Sequence, residues 1–273
     1  VVAEAIYRDA IQRFPDGPLR SETRFGLARA LELKGNHEQA LRFYRFLAAH
    51  STSHLRDDAH LRAGIILHNQ HQHAEAIAML AKFDDELAES SLRDEARYWT
   101  GMSLLKSGKV SDAAKALTHG QGLAADHPLA AAFEFGRGEA AHANEDLEAA
   151  IQHYAKVHTT WPTSDWADDA LYAMCSIAFA EDDSEQFNQC VALLQEHHAS
   201  SPLAPQVAQL VGRLALRENR YDDAISSFAS LVSESSDDDF TRSLANQYYL
   251  GVAYLAAERP TNALTVLADI RLA

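Results

Sequence analysis

No apolar run in the chain approaches the roughly 18–20 residues that a membrane-spanning helix needs, so nothing in it reads as a transmembrane segment. Basic residues are scarce: 24 Lys and Arg stand against 39 Asp and Glu, a formal net charge of −15. No Lys/Arg run is long enough to track a phosphate backbone, which excludes nucleic acid as the expected partner. Glycine (12) and proline (7) are few and 47% of residues are apolar, a balance that suits helices rather than strands and turns. Cysteine occurs twice, as Cys175 and Cys190, too sparse for a disulfide framework; the pair reads as small reduced core residues.

Catalytic signatures are missing as well. There is no nucleophile elbow, no phosphate-binding glycine loop, no zinc-protease histidine pair with its glutamate and no kinase signature. The segment is therefore expected to be non-catalytic and to need no cofactor. The His68-Asn69-Gln70-His71-Gln72-His73 stretch has the composition of a metal site, but with no cysteine nearby it reads as a solvated turn. His197-His198 receives the same reading. Asp237-Asp238-Asp239 with Glu234 lacks the alternating spacing and glycine of a calcium loop and reads as a solvated loop. No metal is expected.

What the chain does contain is a repeat. From Phe25 to Leu47 two amphipathic segments flank Gly35-Asn36, with Phe25, Ala28 and Leu31 on one and Ala40, Phe43, Tyr44 and Leu47 on the other. Glycine ends one helix because it accepts a left-handed backbone. A small residue marks the second segment at Ala3, Ala40, Ala76, Ala113, Ala150, Ala224 and Ala263, with Phe187 as a departure, at spacings of 36 to 39 residues. Twelve residues earlier stand Ala28, Gly64, Gly101, Gly138, Cys175, Gly212 and Gly251. Four residues after the marker stand Tyr7, Tyr44, Leu80, Leu117, Tyr154, Val191, Phe228 and Leu267. Small residues let two antiparallel helices cross closely, and the large one is expected to fill the space between one hairpin and the next. Such a period identifies an all-α array of stacked hairpins, a right-handed α-solenoid.

The repeats are read as one solenoid: a second helix over 1–18, then repeats at 19–53, 54–90, 91–127, 128–163, 164–200, 201–236 and 237–273. Repeat two is predicted to have helices over 58–69 and 74–83. Turns fall at Gly108-Lys109, Asn144-Glu145-Asp146, Glu181-Asp182-Asp183, Asn219-Arg220 and Glu258-Arg259-Pro260, with Ser111 and Ser184 as expected helix caps. Phe187 implies a splayed or repacked fifth hairpin, and the acidic stretch 233–239 reads as a mobile loop. Opening and closing inside second helices, the chain reads as a segment of a longer protein.

These residues resemble the tetratricopeptide repeat. Gly251, Tyr254, Ala263 and Leu267 follow its small, aromatic, small, large order, as do Gly138, Ala150, Tyr154 and the repeat-ending Pro162. The period near 37 and junctions such as Phe14-Pro15-Asp16-Gly17-Pro18 are similar to a long-repeat subgroup that includes bacterial outer-membrane assembly lipoproteins and Tol-associated periplasmic proteins. The resemblance implies a protein-interaction scaffold in a bacterial envelope, with a periplasmic or outer-membrane-associated location favoured over a cytoplasmic one. It also implies a concave face lined by the first helices, where Phe25, Arg29, Arg62, Tyr98, Trp99, Met102, Phe135, Glu139, Tyr172, Arg213, Tyr248 and Tyr249 would receive a peptide or partner protein. The terminal-carboxylate clamp of some relatives does not carry over, because its positions here are aromatic or apolar. Two alternatives stand beside this reading: a self-assembling structural module, and an accessory arm of an enzyme whose catalytic domain lies outside the segment.

Overall fold

The interval of four residues between the small marker and the large residue is explained by the way each hairpin closes. In the computed structural model, a side chain at Gly64 would meet Leu80 at 2.4 Å, and one at Gly101 would meet Leu117 at 2.6 Å. The large residue of the second helix thus sits directly on the glycine of its own first helix. It reaches the next hairpin too, since Leu117 also lies 2.9 Å from where a Cβ on Gly136 would be. Leu117 thus fills the space between hairpins as expected and in addition seals its own hairpin.

The structure describes residues 2–50, 55–234 and 240–270. Among these are fifteen α-helices and no strand. The first unit of the fold covers Val1–His153 and the second Tyr154–Ala273, the division falling inside α9. The first contains α1 (Val2–Arg13), then the hairpins α2 (Arg20–Leu33) with α3 (His37–His50), α4 (Leu55–Asn69) with α5 (His73–Leu80), and α6 (Arg93–Lys106) with α7 (Val110–Leu117). It continues with α8 (Ala130–Ala143) and the start of α9 (Leu147–Thr160). The second pairs α10 (Ala167–Ala180) with α11 (Ser184–His197), α12 (Ala204–Arg217) with α13 (Tyr221–Glu234), and α14 (Phe240–Ala256) with α15 (Pro260–Ile270). The architecture is an α-solenoid of helix hairpins.

Every hairpin turns on one left-handed residue. Gly35, His71, Gly108, Glu145, Asp182, Asn219 and Glu258 have φ between 57° and 81°. The next N–H reaches back five residues to a carbonyl, as in Asn36 to Leu31 (2.9 Å), Asp146 to Ala141 (3.0 Å) and Arg259 to Tyr254 (2.8 Å). This closure satisfies carbonyls that the helix end leaves unbonded. Capping differs from expectation. Ser111 lies one residue inside α7, and Asp183 rather than Ser184 caps α11, accepting from the Gln186 N–H at 2.9 Å.

The second helices of repeats two and three are short. Each ends after eight residues and tightens into a 3₁₀ turn, at Ala81–Phe83 and Thr118–Gly122. Phe187 is absorbed by repacking: it is 1% exposed, with Cys175 and the smaller Val191 making room in the same core. The fifth hairpin is repacked, not splayed. The acidic stretch at 235–239, including Asp237, Asp238 and Asp239, lies outside the described residues.

Candidate functional site

In the first unit, the outward edge of α2 carries a charge network. Glu32 accepts from the Tyr44 hydroxyl at 2.6 Å and the Arg29 guanidinium at 2.9 Å, and pairs with Arg62 from α4 at 3.6 Å. Burial, with the Glu32 hydrogen bond second, pushes the Tyr44 hydroxyl far above its ordinary pKa. Arg29 and Arg62 are therefore tied to one carboxylate that also locks the hairpin. Phe25 packs edge-on against Tyr44 with ring centroids 5.6 Å apart.

The expected aromatic stripe of this unit is largely internal. Tyr98 is 2% exposed, Met102 7% and Phe135 9%. Tyr98 sits between Trp99 (5.3 Å) and Phe133 (5.7 Å), in the seam where α6 and α8 meet. Trp99 and Glu139 are half-buried. Trp99 also touches His68, whose Nδ1–H donates to the Ser103 hydroxyl at 2.9 Å while that hydroxyl donates to the Trp99 carbonyl. Burial first, then the neighbouring His73, Lys106 and His71, brings His68 down to about 4. The ring centroids of His68 and His71 lie 5.3 Å and 5.8 Å from that of His73. Among the described residues no group of three His, Cys, Asp or Glu side chains is arranged to hold a metal ion.

The second unit presents a different face. Arg213 on α12 lies 4.8 Å from the ring centre of Phe179 and 5.5 Å from that of Tyr249. Arg217, one turn on, lies 3.9 Å from the ring centre of Phe179, donates to the Phe179 carbonyl at 2.8 Å and pairs with Asp182. Tyr249 is held flat against the core ring of Phe228 at 5.3 Å, and the half-exposed Tyr248 (55%) meets Tyr249 edge-on. Among the described residues no carboxylate pairs with Arg213. Cation–π contact holds the guanidinium in place without neutralising it. Tyr172 is half-buried against the core between α10 and α12. Gln209 and the buried Asn246 join α12 to α14 through a 2.9 Å hydrogen bond.

Arg217 was not among the expected site residues, whereas Phe179 stands at a first-helix position expected to face the groove. The spacing carried the signal for Arg217, which lies four residues after Arg213 and so shares its helix face. The geometry offers charge and aromatic surface for binding.

The sequence profile of the tetratricopeptide repeat matches residues 2–54, 98–165 and 212–272. The chain belongs to the tetratricopeptide repeat family. No curated protein matches it. Among solved structures it is similar to a tetratricopeptide repeat protein from Parabacteroides merdae, with TM-score 0.67 and 14% identity over 92% of this chain and 91% of that one. It is also similar to a Rap protein complexed with competence and sporulation factor (TM-score 0.59, 11% identity, 96% and 77% covered). A third similar structure is the human IFIT1 dimer with m7Gppp-AAAA (TM-score 0.58, 16% identity, 98% and 67% covered). At these identities the likeness shows the fold. The repeat fold is generally a non-catalytic scaffold for protein–protein interaction, and no helix among the described residues is long and apolar enough to cross a membrane.

Proposed function

We propose that this tetratricopeptide repeat chain holds a peptide or a segment of a partner protein against the first-helix face of its second unit. The observation that carries the reading is Arg213: a guanidinium framed by Phe179 and Tyr249, next to the half-exposed Tyr248, with no carboxylate pairing among the described residues. A partner side chain with a carboxylate would complete the ion pair, and its apolar neighbours would lie on the rings. In the first unit Arg29 and Arg62 are both already engaged by Glu32, which makes that face the weaker anchor. The junctions resembling envelope-associated relatives support a bacterial envelope setting.

A pull-down from lysate, read by mass spectrometry, tests the proposal with three baits: the parent chain, Arg213→Glu with Tyr248→Ala, and Arg62→Glu. Helicity and melting are matched first. A protein captured by the parent and by Arg62→Glu but lost with the double variant supports the reading. Equal capture by all three removes the Arg213 face from the account.

A second reading, self-association, is favoured by α1, where Val2 is 74% and Ile6 61% exposed on one side of the helix. Sedimentation over a hundredfold concentration range, with the parent compared against Ile6→Glu, separates the two readings. A species that stays monomeric throughout excludes the second.

A further inference from the structure

We infer that Cys175 and Cys190 form a disulfide site that staples α10 to α11 within the fifth hairpin. They are the chain's two cysteines, and both fall on this hairpin. They are 0% and 2% exposed, in one core cluster with Leu171, Phe187 and Leu194. The helices α10 and α11 pack against each other, both cysteines lie in the core between them, and the two side chains are near enough to interact; they are not bonded to each other in this structure. Cys175 occupies the first-helix position that is alanine or glycine in the other repeats, where the two backbones cross most closely. Close crossing is what a disulfide requires, since it tolerates only a few ångströms between Cβ atoms. The fifth hairpin is also the one whose second-helix marker is Phe187, so its core is built around both changes.

The chemistry assigns the two sulfurs different parts. The Cys175 thiol is pushed up by its hydrogen bond to Cys190 and by burial, while the same hydrogen bond draws Cys190 down. With a small-molecule or protein disulfide as oxidant, the Cys190 sulfur bonds to one oxidant sulfur and the other leaves as a thiol. The Cys175 sulfur then bonds to that of Cys190 and expels the second oxidant thiol. Two thiols of the chain become one disulfide, and the two hydrogens and two electrons reside in the two released thiols. Both sulfurs are buried, so exchange is gated by opening of the hairpin and the product is shielded once formed.

The test exposes the full folded chain to oxidised glutathione, then denatures it and labels remaining thiols with N-ethylmaleimide. Labelled thiols are expected to fall from two to none, with a peptide joining Cys175 to Cys190 recovered after proteolysis. Cys175→Ser should instead trap glutathione on Cys190. The oxidised parent should melt at a higher temperature than the reduced parent, a shift that Cys190→Ser lacks. Two labelled thiols surviving where an unfolded dithiol control is fully oxidised would overturn the proposal. So would a glutathione adduct equally persistent in parent and Cys175→Ser, or an oxidised chain melting no higher than the reduced one.

Discussion

At the scale of single residues, backbone conformation and close approach act in opposite directions on glycine. Glu145 and Glu258 adopt φ of 61° and 58° at hairpin turns, where an L side chain crowds the following carbonyl, and both side chains are exposed. Replacing either with glycine relieves that crowding at the cost of greater unfolded-state freedom. Glu145→Gly is expected to stabilise the chain by about 0.5–1 kcal/mol in urea unfolding. A neutral or negative change would show that the turn is not strained there. Gly101 sits in the opposite situation, inside α6 with Leu117 pressed against it. Gly101→Val adds atoms where the nearest neighbour is fully buried, so overpacking outweighs any gain in helix propensity. A loss of about 1–3 kcal/mol is expected in the same measurement.

At the scale of the elements, the periodic residues made the helices legible because they mark where two helices cross. Gly64 with Leu80 and Gly212 with Phe228 place both helices of their repeats and the turn between them. They say nothing about where a helix ends. That is why α5 and α7 proved shorter than their repeat position implied; the ends are set by Phe83 entering the core and by Gly120 lying under Phe133. The candidate site was less legible for a related reason. Repeat position gives the direction in which a side chain leaves its own helix, but the neighbouring first helix decides what covers it. Tyr98 and Tyr248 hold equivalent repeat positions, yet Tyr98 is closed off at the α6–α8 seam while Tyr248 is half-exposed.

The α4–α5–α6 junction yields an expected pH dependence. His68, held near 4 chiefly by burial, faces Trp99, Ser103, Lys106, His71 and His73. Its folded value lies below the ordinary value of 6.5, so the unfolded chain binds the proton more readily. The stability that neutral His68 contributes is complete above 6.5 and is lost as pH falls from there towards 4. Urea midpoints at several pH values should therefore decline through this window in the parent and decline less in His68→Gln. Parallel curves would assign the acid sensitivity elsewhere.

At the scale of the whole molecule, 39 acidic residues against 24 basic ones mean that most cations have a carboxylate within reach, and the exposed pairs each contribute little. Arg213 stands out against that background because its neighbours are rings. The packing order is equally simple. In the first unit α2 packs on α3 and α4, α4 on α5 and α6, and α6 on α7 and α8, so each helix is supported by its neighbours in the chain. Stability in such an array is a sum of repeat terms and nearest-neighbour terms, and damage to one repeat spreads only as far as its contacts. Gly64→Val, which forces a branched side chain against Leu80, tests this within the first unit. Hydrogen exchange read by mass spectrometry should quicken in α4, α5 and the flanking α3 and α6. The rates in α8 should stay at parental values, because α4 and α8 are separated by a full hairpin. Quickening of equal size in α8 would mean that the first unit opens as a single cooperative block, and the nearest-neighbour account would fail.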